Sequence, residues 1–227
     1  MSVIARPASP VTLTGTLAPG LSRWLWLVKM FLAIPHFIVL AALWIPFIVT
    51  SLVAGAVILF TGRYPRALFD FNVGVLRWNW RVGFYVYAAL GTDKYPPFTL
   101  APTADYPAHF EVEYPERLSR ALVLVKWPLA LPHLLIVGFI MGDLLFFNQA
   151  AGAGTTGAFS VLNVLVVIAG ALLLITARYP QPLFDLLIGL NRWVYRVMAY
   201  VAFMRDEYPP FRLDTGARVA MIRGAHR

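Results

Sequence analysis

Two histidines follow proline inside long apolar runs, His36 after Pro35 and His133 after Pro132. Lys29 and Lys126 lie seven residues earlier, on the same face of a helix. An ionisable side chain at membrane depth is costly, so each of these four is a candidate for function. Two imidazoles brought together with the carboxylates of Asp70 and Asp185 could in principle bind a metal. No His-x-x-x-His or Glu-x-x-His spacing supports one, and neither metal nor other cofactor is expected. In the simpler reading, each lysine anchors a helix end and each histidine bonds carbonyls freed by its proline.

A second pattern is more specific because it occurs twice. Asp70, Gly74, Arg77 and Arg81 stand at i, i+4, i+7 and i+11, one face of a helix. Asp185, Gly189, Arg192 and Arg196 repeat it. Arginine makes bidentate contacts to phosphate, so the stripe could bind lipid headgroups or line a polar cavity. The structural alternative is the solvated face of an interfacial helix, with Asp70 bonded to an arginine of the other copy. The glycines permit close packing in either case. Lys29, His36, Asp70, Arg77, Arg81, Lys126, His133, Asp185, Arg192 and Arg196 are therefore the lipid- or ligand-binding candidates. None is marked as catalytic. The chain shows no phosphate-binding glycine loop, nucleophile elbow, paired catalytic carboxylates or Ser/His/Asp set. It has no cysteine, which excludes disulfides, thiolate metal sites and thiol nucleophiles.

The elements that must position these residues are apolar. Of 227 residues 59% are hydrophobic and only 13% charged, and the mean hydropathy is +0.69. Soluble domains carry roughly twice that share of charge, so the excess apolar surface is expected to face lipid. The net charge of +8 sits beside apolar runs, which points to an anionic membrane face rather than nucleic acid. The first twenty residues lack a signal-peptide core, so the first apolar segment is expected to act as an uncleaved anchor.

Fifty-one residues between Lys126 and Arg178 carry one charge, Asp143. As one helix they would span about 77 Å against a hydrocarbon core of about 30 Å. Two helices are expected, over 120–140 and 159–177, with the Gly-rich 142–157 stretch between them. Thirty-three uncharged residues separate Lys29 from Arg63, and two short crossings with a turn near Pro46 are expected there. The stretches 65–90 and 180–204, which carry the Asp/Gly/Arg/Arg stripes, read either as third crossings or as helices in the interface. Two crossings per copy put nearly every Lys and Arg on one side, which favours the interfacial reading. Residues 11–14 and 110–114 alternate apolar and polar. With the stretches after each Tyr-Pro-Pro-Phe, they could form a small cytoplasmic sheet of four pieces. The basic tail 214–227 is expected to be disordered.

The chain is also self-similar. Residues 21–36 and 118–133 agree at eleven of sixteen positions, including Leu-Ser-Arg, Leu-Val-Lys and Pro-His. Arg63-Tyr64-Pro65 and Leu68-Phe69-Asp70 recur as Arg178-Tyr179-Pro180 and Leu183-Phe184-Asp185, and Arg77-Trp78 recurs as Arg192-Trp193. Both units close with Tyr-Pro-Pro-Phe, at residues 95–98 and 208–211. The second unit departs where Asn72 becomes Leu187 and Asn79 becomes Val194. These motifs resemble the bacterial DUF4389 membrane proteins, a domain of unknown function, in two tandem copies over nearly the whole chain. The resemblance implies an integral membrane protein and no established activity.

The expected fold is an all-α membrane protein built by tandem duplication, with about four transmembrane helices, two amphipathic interfacial helices and the small sheet. The segments are 1–20, an N-terminal cytoplasmic piece; 21–100, the first repeat; 101–213, the second; and 214–227, the tail. The expected place is the inner membrane, multi-pass, with both termini cytoplasmic. The leading expectation is a non-enzymatic accessory or scaffold subunit, its partners the bilayer, anionic headgroups and another membrane protein. The alternatives are a small transporter or channel with a wet pocket near His36 and His133, and a lipid-handling enzyme using Asp70 or Asp185 in a cleft beside Arg77 or Arg192.

Overall fold

The computed structural model describes residues 9–141, 160–211 and 213. The expected Gly-rich loop and basic tail lie outside them. The described chain is mainly helical with one two-stranded ribbon: β1 (Val11–Gly15), α1 (Leu25–Leu32), α2 (Ile34–Thr61), α3 (Arg66–Val86), β2 (Ala108–Val112), α4 (Arg120–Met141), α5 (Val161–Thr176) and α6 (Gln181–Val201).

In the first unit the expected turn at Pro46 does not exist. Pro46 lies inside α2, which runs unbroken from Ile34 to Thr61. The interruption comes earlier, at Ala33 alone (φ −85°, ψ −4°). Pro35 there has no N–H to give the carbonyl four residues back, while Ala33 N–H still bonds the Lys29 carbonyl at 2.9 Å. One broken rod thus replaces the two short crossings. The second unit makes the same rod from two pieces. Ser160 caps α5 by accepting from Asn163 N–H, and its hydroxyl donates to the Ile140 carbonyl at the end of α4 (2.6 Å). The helices expected over 120–140 and 159–177 are α4 and α5.

Both rods end on a left-handed residue. Gly62 (φ 70°) donates to the Ile58 carbonyl, and Ala177 (φ 56°) donates to that of Leu173. Only glycine adopts this conformation without a Cβ penalty. Ala177→Gly is therefore expected to stabilise the protein by about 1 kcal/mol, read as a rise in melting temperature in detergent. A fall would contradict this account of the cap.

The molecule is layered. Asn72, Trp78, Val82 and Tyr85 on one side of α3 meet α2 and α1: Asn72 bonds Ser51, Trp78 bonds His36, and Tyr85 lies under Lys29. These contacts run in opposite sequence order, so α3 is antiparallel to the rod. The other side of α3 carries Arg77, Trp80 and Arg81, which bond the ribbon and the 99–103 segment. In the same way α6 packs between α4 and β1. The expected interfacial helices are thus the covered middle layer, with Asn72 to Leu76 and Trp80 to Val86 buried. Arg77, Arg81 and Arg192 of the stripes point at protein backbone rather than at solvent.

Of the expected sheet, two strands pair, the stretch after residues 95–98 forms none, and the stretch after residues 208–211 lies almost wholly outside the described residues. β1 and β2 are antiparallel, with Leu13 opposite Phe110. β1 precedes the first unit yet packs on α6, and β2 precedes the second yet packs on α3. This exchange ties the two units together.

Candidate functional site

The ten candidate residues fall into three arrangements, each occurring in both units. The first is an aromatic cage. His36 is fully buried, stacked on Phe98 (3.9 Å between ring centres) and flanked by Tyr95 and Trp78. Trp78 Nε1–H donates to His36 Nδ1 at 3.1 Å, so Nδ1 holds the lone pair and the neutral ring carries its proton on Nε2. Nε2 faces the Pro96 backbone without reaching standard hydrogen-bond geometry. His133 is equally buried between Phe211 (4.0 Å), Tyr208 and Trp193. Each Tyr-Pro-Pro-Phe therefore serves to close a box around its own unit's histidine. The two imidazoles do not meet, and the described residues contain no metal-binding group of His, Cys, Asp or Glu.

The second arrangement is a buried lysine clamp. Lys29 Nζ lies 2.8 Å from Asp93 and 2.7 Å from the Thr92 carbonyl, above the Tyr85 ring. Lys126 does the same with Asp206 (2.7 Å), the Arg205 carbonyl (2.9 Å) and Tyr200. Each carboxylate also accepts a backbone N–H, Asp93 from Ser22 and Asp206 from Ser119. The lysines do not snorkel. Each pins the start of its rod to the loop that follows the middle-layer helix. Sequence reasoning missed both aspartates. The signal was there: each stands two residues before a Tyr-Pro-Pro-Phe.

The third arrangement is the arginine stripe. The end bonds of the ribbon, Glu113 N–H to the Pro10 carbonyl and Thr16 N–H to that of Pro107, set the ladder's alternation. Leu13 and Phe110 are then a non-hydrogen-bonded pair whose carbonyls point out of the ribbon. Arg77 Nε donates to the Phe110 carbonyl (3.2 Å) and Arg192 Nε to that of Leu13 (2.8 Å). One arginine from each middle-layer helix thus caps one edge of the ribbon. Arg77 further reaches the Leu100 carbonyl and Glu111, both at 2.7 Å. Arg81, wholly buried, bonds the carbonyls of Thr99 and Ala101 and the Thr103 hydroxyl. Burial and then the neighbouring Arg77 push its guanidinium down to about 10, still cationic at neutral pH. Arg196 is half-buried at the matching position of α6. The acidic ends of the stripes stay on their own helices. Asp70 accepts from Arg66 (3.0 Å) and Asp185 from Gln181 (2.9 Å). Among the described residues Asp70 makes no bond to an arginine of the other unit; its partner is Arg66.

Asp70 and Arg77 do share a groove of about 460 Å³ with Arg66, Leu100 and Glu111. Its charges are mutually paired, Asp70 with Arg66 and Arg77 with Glu111. The first pair lies within α3, and the second, with the Arg77 bond to the Leu100 carbonyl, ties α3 to β2 and the 99–103 segment. At Asn72 the two units differ for a visible reason. Its amide donates to Ser51 and Tyr64 and its carbonyl accepts from Thr50, a fully bonded set inside the core. Leu187, at the matching place, is buried among apolar groups.

A family model covers both middle-layer helices. The family model described as a domain of unknown function, DUF4389, matches residues 23–99 and 156–212, more than half of the chain in two segments. The chain belongs to the DUF4389 family. Both matched segments of this DUF4389 chain include a middle-layer helix and a Tyr-Pro-Pro-Phe lid. No curated protein and no solved structure matches it.

Proposed function

We propose that this protein is a non-enzymatic membrane scaffold, held in lipid by its rods and presenting the ribbon side to water and to a membrane partner. One observation carries the reading. The exposed large apolar residues of the helices all lie on α1, α2, α4 and α5 and none on α3 or α6, among them Phe31, Ile45, Phe60, Leu124, Phe139 and Ile175. Two of these helices, Ile34–Thr61 and Arg120–Met141, are long and apolar enough to cross a membrane, yet only 22% and 28% of their most apolar stretches are buried. A core helix of a soluble protein hides such a surface, and lipid removes the cost of exposing it.

The layering bears on how the slab sits. The ribbon lies beside the middle of α3, on the side opposite the rod, so apolar and charged faces are two sides of one slab. A rod standing upright would carry Arg77 and Glu111 to the depth of Leu40. A slab lying in the interface with its rods toward the acyl chains avoids that cost. What supports the scaffold role is that Lys29, Lys126, Arg77, Arg81 and Arg192 are committed to internal carbonyls and carboxylates. No observation favours transport through the histidines, since each is sealed in its own cage.

Alkaline extraction of membranes containing the protein tests this. The chain is expected to stay in the membrane pellet, and the double variant Ile45→Asp with Ile168→Asp is expected to shift at least half of it to the supernatant. Release of the wild-type chain would contradict the reading.

A further inference from the structure

Arg77, Arg81 and Arg192 of the stripes are occupied, but Arg63, Arg117 and Arg120 have no ion-pair partner among the described residues. Arg63 follows the end of α2, while Arg117 and Arg120 precede and open α4. Leu118 N–H bonds the Gly62 carbonyl at 2.9 Å, which holds the two segments side by side. Arg63, Arg117 and Arg120, all exposed, line one cleft of about 470 Å³ with Thr61, Gly62 and Leu118. Gly62 leaves room there, with Arg120 Nε about where it would brush a side chain at that position (3.6 Å from an added Cβ). No ion pair engages any of the three among the described residues, whereas Lys29, Lys126, Arg66, Arg77 and Arg205 each meet a carboxylate. Glu116, next to Arg117, is exposed and outside any such pair. The thread of like charge in one cleft is repulsive unless an anion joins it.

The position says which anion. Phe60 (75% exposed) and Leu124 (68% exposed) flank the cleft in sequence, so it opens at the rim of the apolar face. We propose that Arg63, Arg117 and Arg120 form a binding site for the phosphate of an anionic phospholipid headgroup, with the acyl chains lying against the rods. The site rests on the membrane reading above. Three guanidinium forks suit a phosphodiester oxygen cluster, and the lipid-facing rim supplies what a soluble phosphate would not use. The matching place made by the opposite ends of the two units offers only part of it: Arg23 and Arg178 match Arg120 and Arg63, but Gly20 stands where Arg117 would be.

Native mass spectrometry of the full chain in neutral detergent tests the assignment, titrating phosphatidylglycerol, phosphatidylcholine or inorganic phosphate. Wild type is expected to retain phosphatidylglycerol in preference to phosphatidylcholine. Replacing all three arginines by alanine is expected to weaken that binding on the order of a hundredfold. Arg117→Glu, a change in an exposed loop that spares the fold, is expected to abolish the preference, while Arg178→Ala leaves it intact. Equal binding of the two lipids, or a preference that survives Arg117→Glu, would overturn the site. Tight inorganic phosphate binding that displaces the lipid would overturn the headgroup assignment in favour of a soluble anion. Alkaline extraction of the same variants keeps the two claims apart: a retained protein without lipid preference loses only this site, and a released wild type loses the membrane reading.

Discussion

Asp93→Ala is expected to destabilise the protein by about 3–5 kcal/mol, a drop of roughly 10 °C in melting temperature for a chain of this size. The carboxylate itself is partly exposed (28%), but the ammonium it neutralises is not, since the Lys29 side chain is 2% exposed. Without Asp93 that charge keeps only the Thr92 carbonyl and the face of Tyr85, and Ser22 N–H loses its acceptor. Asp206→Ala should repeat the effect through Lys126. The distinguishing result is the double variant. Lys29→Met with Asp93→Ala removes both charges and should recover most of the loss, as apolar replacement of buried pairs often does. Thermal unfolding in one detergent across the four proteins of the cycle measures it. A single-variant loss below about 1 kcal/mol, with no recovery in the double, would show that the clamp is only a surface ion pair.

Arg81→Met is the second large effect, expected at about 3 kcal/mol. The guanidinium holds the Thr99 and Ala101 carbonyls and the Thr103 hydroxyl, and the Arg81 carbonyl in turn accepts from Tyr106. Its loss frees the segment that forms one wall of the Asp70 groove. Arg81→Lys is expected to rescue little, because one ammonium cannot span acceptors arranged for a planar fork. Denaturant unfolding gives the energy, and hydrogen exchange over residues 99–106 shows whether that segment is what loosens. A lysine variant as stable and as protected as wild type would refute the fork account.

Part of this architecture is legible in the residues. The repeat, the α4 and α5 helices and the strand character of residues 11–14 and 110–114 follow from local spacing and alternation, and the family from the resemblance of the repeated motifs. What escapes is set by long-range packing. Thirty-three uncharged residues can be one long rod or a hairpin, and Pro46 is compatible with either, because a proline within an apolar helix frees one carbonyl without forcing a turn. The Arg77 and Arg192 stripe reads the same from sequence whether it faces phosphate, water or an edge of ribbon. Arginine announces a need for acceptors, and only the fold shows that Phe110 and Leu13, from strands preceding the opposite units, supply them. The lysine clamps lie between these cases. Lys29 and Lys126 were visible as costly residues needing a partner, and their aspartates sat at matched places before each Tyr-Pro-Pro-Phe, yet a loop carboxylate draws no attention until the loop is placed.

The rods are expected to face lipid while the ribbon stays in water. The absence of native cysteine makes site-directed spin labelling direct: Ile45→Cys and Ile175→Cys on the exposed face of the rods, Thr12→Cys and His109→Cys on the exposed side of the ribbon. In reconstituted vesicles, the account predicts that labels at 45 and 175 relax with oxygen and are shielded from a water-soluble nickel chelate, and that labels at 12 and 109 do the reverse. Nickel accessibility at 45 and 175 equal to that at 12 and 109 would contradict it.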